Sequence, residues 1–143
     1  MVVVKRSALV PYSAGQMYEL VRKVEDYPDF LPWCSGSRLL AEHDDGVSAQ
    51  VDINKGKLKK SFSTRNTYSK DSEIKMQLIE GPFSHLAGQW LFEGIGEAGS
   101  RVSLSLEFDF SSTLARLTIG PVFNAIADKL VDAFVQRAQE IYE

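Results

Sequence analysis

The sequence predicts an α+β fold. One antiparallel sheet of about six to seven strands curves around a single long C-terminal helix, with two short helices after the first strand. Three observations carry this. Between residues 36 and 110, apolar and polar residues alternate with the period of a strand. Turn signals punctuate that alternation at Asp44-Asp45-Gly46, Asn54-Lys55-Gly56 and Lys70-Asp71-Ser72. Strands linked by short hairpins are antiparallel. The last part of the chain returns to helical spacing, and it is the only segment long enough to cover the apolar face of such a sheet.

Residues 2–10, rich in valine, read as the first strand, ended by Pro11. Ser13 and Gln16 then form a capping box, each side chain meeting the other's backbone N–H. The helix behind it sets Met17, Leu20, Val21 and Val24 on one face, and Pro28 is expected to stop it. The segment YPDFLPWC, residues 27–34, carries two prolines and has room for one short helical turn at most. That turn is expected to place Phe30, Leu31 and Trp33 over one end of the gap between sheet and helix.

Residues 37–43 read as the second strand. Val47, Ala49, Val51 and Ile53 alternate with polar residues in the third. Leu58 to Ser69 is a long strand with Phe62, Thr64, Asn66 and Tyr68 on one face. Ile74, Met76 and Leu78 mark the next, and Gly81-Pro82 breaks the pattern. Leu86 to Gly96 follows, with Trp90 and Phe92 on one face. Val102, Leu104, Leu106, Phe108 and Phe110 give the clearest strand of all. Residues 113–119 read as either an extra helical turn or a loop. Pro121 suits a helix start. Val122, Phe123, Ile126, Leu130, Phe134, Ala138 and Ile141 then form the long apolar stripe.

The 143 residues suit one domain, spanning 1–143, large enough for a core without staples. The formal net charge of −3 offers no global basic field for DNA. One cysteine allows no internal disulfide, and no metal-ligand spacing occurs. No signal peptide and no run of membrane-spanning length is evident, so the expectation is a cytoplasmic protein, with peripheral contact at the inner membrane face left open.

Four segments carry a resemblance when taken in order: ALVPYSAGQMYELV near the start, YPDFLPWC, GPFSHLAGQW at 81–90 and LVDAFVQRAQEIY at the end. With them almost the whole chain resembles the START-like, or Bet v 1-like, helix-grip domains. Within these it is most similar to the ribosome association toxin and coenzyme Q-binding protein family, also grouped as polyketide cyclase/dehydrase-like. The resemblance implies a hydrophobic tunnel between sheet and helix. It further implies one of two functions: binding an isoprenoid quinone such as ubiquinone in support of respiration, or binding the large ribosomal subunit to block subunit association. Family membership does not choose between them.

On this footing the leading expectation is a non-enzymatic protein holding a quinone or similar lipid, with no covalent cofactor. Phe30, Trp33, Phe83, Trp90, Phe92, Phe108, Phe110, Phe123, Ile126, Leu130 and Phe134 are the candidate lining, although plain core packing would use the same residues. Burial is worth about 0.8 kcal/mol per methylene, so two or three isoprene units would offset the costs of association.

The second candidate surface is basic. Lys55, Lys57, Lys59, Lys60 and Arg65 lie in a stretch without acidic residues, suited to rRNA phosphates or anionic headgroups. A solvated edge strand blunted by lysine would look the same. Catalysis finds less support. Cys34 has no cysteine-enzyme signature around it and reads as a packing residue. Glu107 and Asp109 share a strand face, but one that points away from the apolar row. No catalytic or metal-binding residue is assigned, and a cyclase or dehydratase is the third reading.

Overall fold

The computed structural model describes all residues 1–143. Seven strands form one antiparallel sheet: β1 (Val2–Val10), β2 (Cys34–His43), β3 (Gly46–Lys55), β4 (Leu58–Ser69), β5 (Glu73–Glu80), β6 (Phe83–Ile95) and β7 (Gly99–Phe110). Their spatial order is β1-β7-β6-β5-β4-β3-β2, a meander whose first strand returns to pair with the last. The helices are α1 (Ala14–Arg22), α2 (Thr113–Thr118) and α3 (Gly120–Tyr142), with a 3₁₀ segment at Val24–Asp29. No helix is long and apolar enough to cross a membrane.

The local signals act as expected at several points. Ser13 Oγ accepts from the Gln16 N–H at 3.1 Å, and Gln16 Oε1 accepts from the Ser13 N–H at 2.9 Å. On β7 the row Val102, Leu104, Leu106, Phe108 and Phe110 is buried throughout. On α3, Phe123, Ile126, Ala127, Val131, Phe134 and Ala138 face the sheet, whereas Ile141 in the last turn is 49% exposed and leaves the expected stripe. The end of α3 is tied down instead by polar contacts. Tyr142 donates to the Gln16 carbonyl at 2.8 Å, and the Tyr12 hydroxyl donates to the Glu143 carboxylate.

Three boundaries differ from the sequence reading, each for a tertiary reason. First, α1 ends at Arg22 rather than running to Pro28, because its last carbonyls are captured from outside. Tyr27 donates to Val21 O and Tyr68 to Arg22 O. Val24 then begins the 3₁₀ segment that contains Pro28. Second, β2 starts at Cys34, since Cys34 pairs with Ile53 across a register shift before Gly36. Third, β6 starts at Phe83, opposite Phe110, rather than at Leu86, so His85 pairs with Asp109 within the sheet. Residues 113–118 resolve as a helix separate from α3, capped by Ser112.

Two apolar clusters fill the interior. One, around Trp90, Phe92 and Phe134, joins α1 and α3 to the sheet. The other, around Phe83, Phe108, Phe110 and Phe123, joins the start of α3 and α2 to the other end.

Candidate functional site

A cavity of about 90 Å³ lies between α3 and the concave face of the sheet. Tyr27, Trp33, Phe62, Met76, Trp90 and Phe123 form its aromatic and thioether wall. Leu86, Leu104, Leu106, Ile126, Ala127 and Leu130 supply the aliphatic part, and Thr64 is the one lining residue that is not hydrophobic. The Thr64 hydroxyl donates to Asn66 Oδ1 at 2.7 Å, which satisfies it within β4. A site of this composition suits an apolar guest.

Of the eleven candidate lining residues, five border the cavity: Trp33, Trp90, Phe123, Ile126 and Leu130. The others pack elsewhere. Phe30 lies against Phe134 and Tyr27, at centroid distances of 5.3 and 6.2 Å, with the Arg137 guanidinium over its ring. Phe92 packs edge-on to Tyr18. Phe134 is held by Trp90 and Tyr27. Phe83 stacks on Phe110, Phe108 meets Phe110 edge-on, and Phe83 and Phe108 both meet Phe123 edge-on.

Sequence reasoning missed Gly88. It sits mid-strand in β6, between inward-facing Leu86 and Trp90. A Cβ there would meet Met76 Cε at 2.6 Å and Leu106 Cδ1 at 2.9 Å, both from residues that line the cavity. The signal was legible: a glycine at an inward position in a row of large apolar residues leaves space for neighbours.

The basic run forms the hairpin between β3 and β4, where Gly56 takes a φ of 61° at the tip. Lys55, Lys57, Lys59 and Lys60 are exposed and none is in an ion pair. Arg65 differs, since it is bound to Asp45 at 2.7 Å. Lys5 and Arg6 lie apart from this patch, because three strands stand between β1 and β4 and Arg6 is paired with Asp128 of α3. The hairpin adjoins the cavity. The Asn54 N–H donates to the Trp33 carbonyl at 2.8 Å, and Phe62 and Thr64 of β4 are lining residues.

Cys34 is buried, with Sγ 3.3 Å from the Gly36 carbonyl, and burial pushes its thiol pKa up. A raised pKa leaves little thiolate at neutral pH. Cys34 is therefore expected to react with iodoacetamide far more slowly in the native protein than in urea, checked by mass spectrometry over time. Glu107 and Asp109 stand on the face of β7 opposite the cavity. Glu107 meets His85 at 3.3 Å. The Phe110 N–H and the Arg116 guanidinium hold the Asp109 carboxyl below its usual range.

A sheet gripping one long helix over an apolar interior defines a START-like helix-grip domain. The solved Zhui aromatase/cyclase from Streptomyces sp. R1128 superimposes with a TM-score of 0.85 at 17% identity, covering 99% of this chain and 96% of that one. An 18 kDa protein from Caulobacter crescentus does so with a TM-score of 0.77 at 33% identity, covering 99% of each. Residues 10–135 match the family described as polyketide cyclase / dehydrase and lipid transport, and the chain belongs to it. The ribosome association toxin RatA of Pseudomonas aeruginosa is 42% identical over 97% of this chain and 96% of that protein. The same-named protein of Vibrio cholerae is 44% identical over the same shares. The mitochondrial coenzyme Q-binding protein COQ10 of Dictyostelium discoideum is 26% identical over 92% of this chain and 66% of that protein.

Proposed function

We propose that this protein is a regulator of ribosome association that binds the large subunit through the β3–β4 hairpin. The likeness to proteins named for ribosome association, at 42–44% identity along 97% of the chain, carries the reading. The hairpin supplies the means: four exposed, unpaired lysines on an otherwise acidic protein. Such a surface gains from the phosphate backbone and loses that gain as salt rises. In co-sedimentation with large subunits, K57E/K59E/K60E together are expected to weaken binding by more than about tenfold, because attraction becomes repulsion at three points. Wild-type binding is expected to fall with added potassium chloride. Unchanged co-sedimentation of the triple variant would remove the hairpin as the contact. A wild type that never co-sediments would remove the ribosome reading.

The apolar cavity favours a second reading on a separate surface: the domain also holds an uncharged lipid, with an isoprenoid quinone such as ubiquinone as the first compound to test. The coenzyme Q-binding relative supports this choice. A cavity of about 90 Å³ is smaller than the ~150 Å³ that takes benzene. A quinone would therefore enter only as lining side chains yield, with half-buried Trp33 and Leu130 at the boundary. Organic extraction of the purified protein followed by mass spectrometry tests it. Reproducible absence of lipid, together with no uptake of added quinone, would count against this reading. No catalytic step is assigned, since the acidic pair of β7 faces away from the cavity.

A further inference from the structure

Leu114 and Leu117 are the two most exposed large hydrophobic residues in the protein, at 72% and 70%. They are three residues apart on α2, so both lie on one side of that helix. α2 buries only Ala115, and the buried Ile119 follows it. A single exposed leucine is ordinary on a protein surface. The surroundings set this pair apart.

The sheet register places α2 and the lysine hairpin at the same end of the molecule. Phe110, the last residue of β7, lies opposite Phe83 at the start of β6, and Lys55 at the end of β3 lies opposite Leu58 at the start of β4. The two rims share one apolar cluster that includes Ile53 of β3, Ala115 and Ile119 of the α2 region, and Phe123 of α3. Leu58 and Phe62 of the hairpin strand pack against it. One end of the protein therefore carries the two most exposed leucines and four unpaired lysines. Arg116 between the leucines is taken up by Asp109 and adds no free charge.

RNA phosphates would use the lysines and leave the leucines idle. An anionic bilayer uses both: apolar side chains enter the boundary of the acyl chains while lysines remain among negative headgroups. We propose that this end of the protein, Leu114 and Leu117 of α2 with Lys55, Lys57, Lys59 and Lys60 of the β3–β4 hairpin, docks on an anionic lipid bilayer. Two leucines on a short helix make the contact shallow and reversible, and the lysines make it dependent on salt. Phe62 and Phe123 belong both to the apolar cluster at this end and to the cavity wall, so the cavity lies directly behind the docking face. An apolar guest could then exchange with the bilayer without crossing water. The inference rests on exposure and charge and does not depend on the ribosome reading, although both draw on the same lysines.

Flotation of the full chain with vesicles tests it, using phosphatidylcholine alone or mixed equally with phosphatidylglycerol. Binding is expected to the mixed vesicles at low salt and not to the neutral ones. L114Q/L117Q is expected to weaken vesicle binding by about tenfold or more, with an unchanged circular dichroism spectrum, because both side chains are already in water. The same leucine variant is expected to co-sediment normally with large ribosomal subunits, whereas K57E/K59E/K60E loses the vesicles as well. No flotation of the wild type with the mixed vesicles overturns the proposal. So does a leucine variant that floats like the wild type. A leucine variant that keeps the vesicles but loses the ribosome also overturns it, and assigns this end to a ribosomal contact instead.

Discussion

Phe123→Ala is expected to lower stability by about 3–5 kcal/mol, the usual cost of emptying a buried phenylalanine site. Phe123 is 4% exposed and stands where the start of α3 meets the sheet. Its ring centroid lies 4.8 Å from that of Phe108, 4.9 Å from Phe83 and 6.0 Å from Phe62. Edge-to-face pairs of this kind add to the area term. The residue also borders an existing cavity, so its removal enlarges a void that the fold cannot easily collapse. A domain holding about 5–15 kcal/mol in total would lose a large share of it. Thermal unfolding by calorimetry is expected to shift down by roughly 10 °C or more. A shift of only a few degrees would mean that the three neighbouring rings repack without it.

Trp33→Ala provides the contrast. Trp33 is half-buried, and its tie to the hairpin runs through its carbonyl, which alanine retains. Its loss is expected to cost less stability than that of Phe123 and to weaken quinone uptake, measured on the same samples. Equal stability loss without any effect on uptake would make Trp33 a cap on a filled core. YPDFLPWC as a whole thus splits by role. Leu31 is 1% exposed and anchors the segment, Trp33 borders the cavity, Phe30 braces Phe134, and Cys34 opens β2.

The parts of the fold written in local periodicity were legible. The alternation of β7, the capping box of α1 and the stripe of α3 each follow from neighbours a few residues apart. The end of α1 was not legible, because Tyr27 and Tyr68 cap it from outside the helix. The same reason limits the reading of the site. Inward orientation can be read from alternation, but whether an inward residue borders a void or fills one depends on what stands across from it. Phe108 and Trp90 both face inward from the sheet, yet only Trp90 meets the cavity. Tyr27, Phe62, Thr64, Met76, Leu86, Leu104, Leu106 and Ala127 became lining residues only once the strands were placed. The hairpin was read more completely, since four of its five basic residues stand free and only Arg65 is paired, by an aspartate twenty residues away.

Gly88→Val is expected to abolish uptake of a short-chain quinone while the protein stays folded. The glycine does not serve a turn, for its residue partners are Met76 on β5 and Leu106 on β7 in an unbroken register. What it provides is room. A Cβ would already approach Met76 Cε at 2.6 Å, and the end of a flexible methionine can move where backbone could not. The direction left to the Met76 and Leu106 side chains is into the cavity they line, which is only about 90 Å³. Overpacking of this kind costs about 1–3 kcal/mol, less than the loss of Phe123. The two tryptophans of the protein, Trp33 and Trp90, both border the cavity, so intrinsic fluorescence reports on its occupancy. Titration with decylubiquinone is expected to quench the wild type saturably and to leave Gly88→Val unquenched. Saturable quenching that survives in a folded valine variant would place the guest outside this cavity. Ribosome and vesicle binding are expected to be unchanged in the same variant, because the lysines and the α2 leucines lie on the outside. That result would separate what the interior holds from what the surface meets.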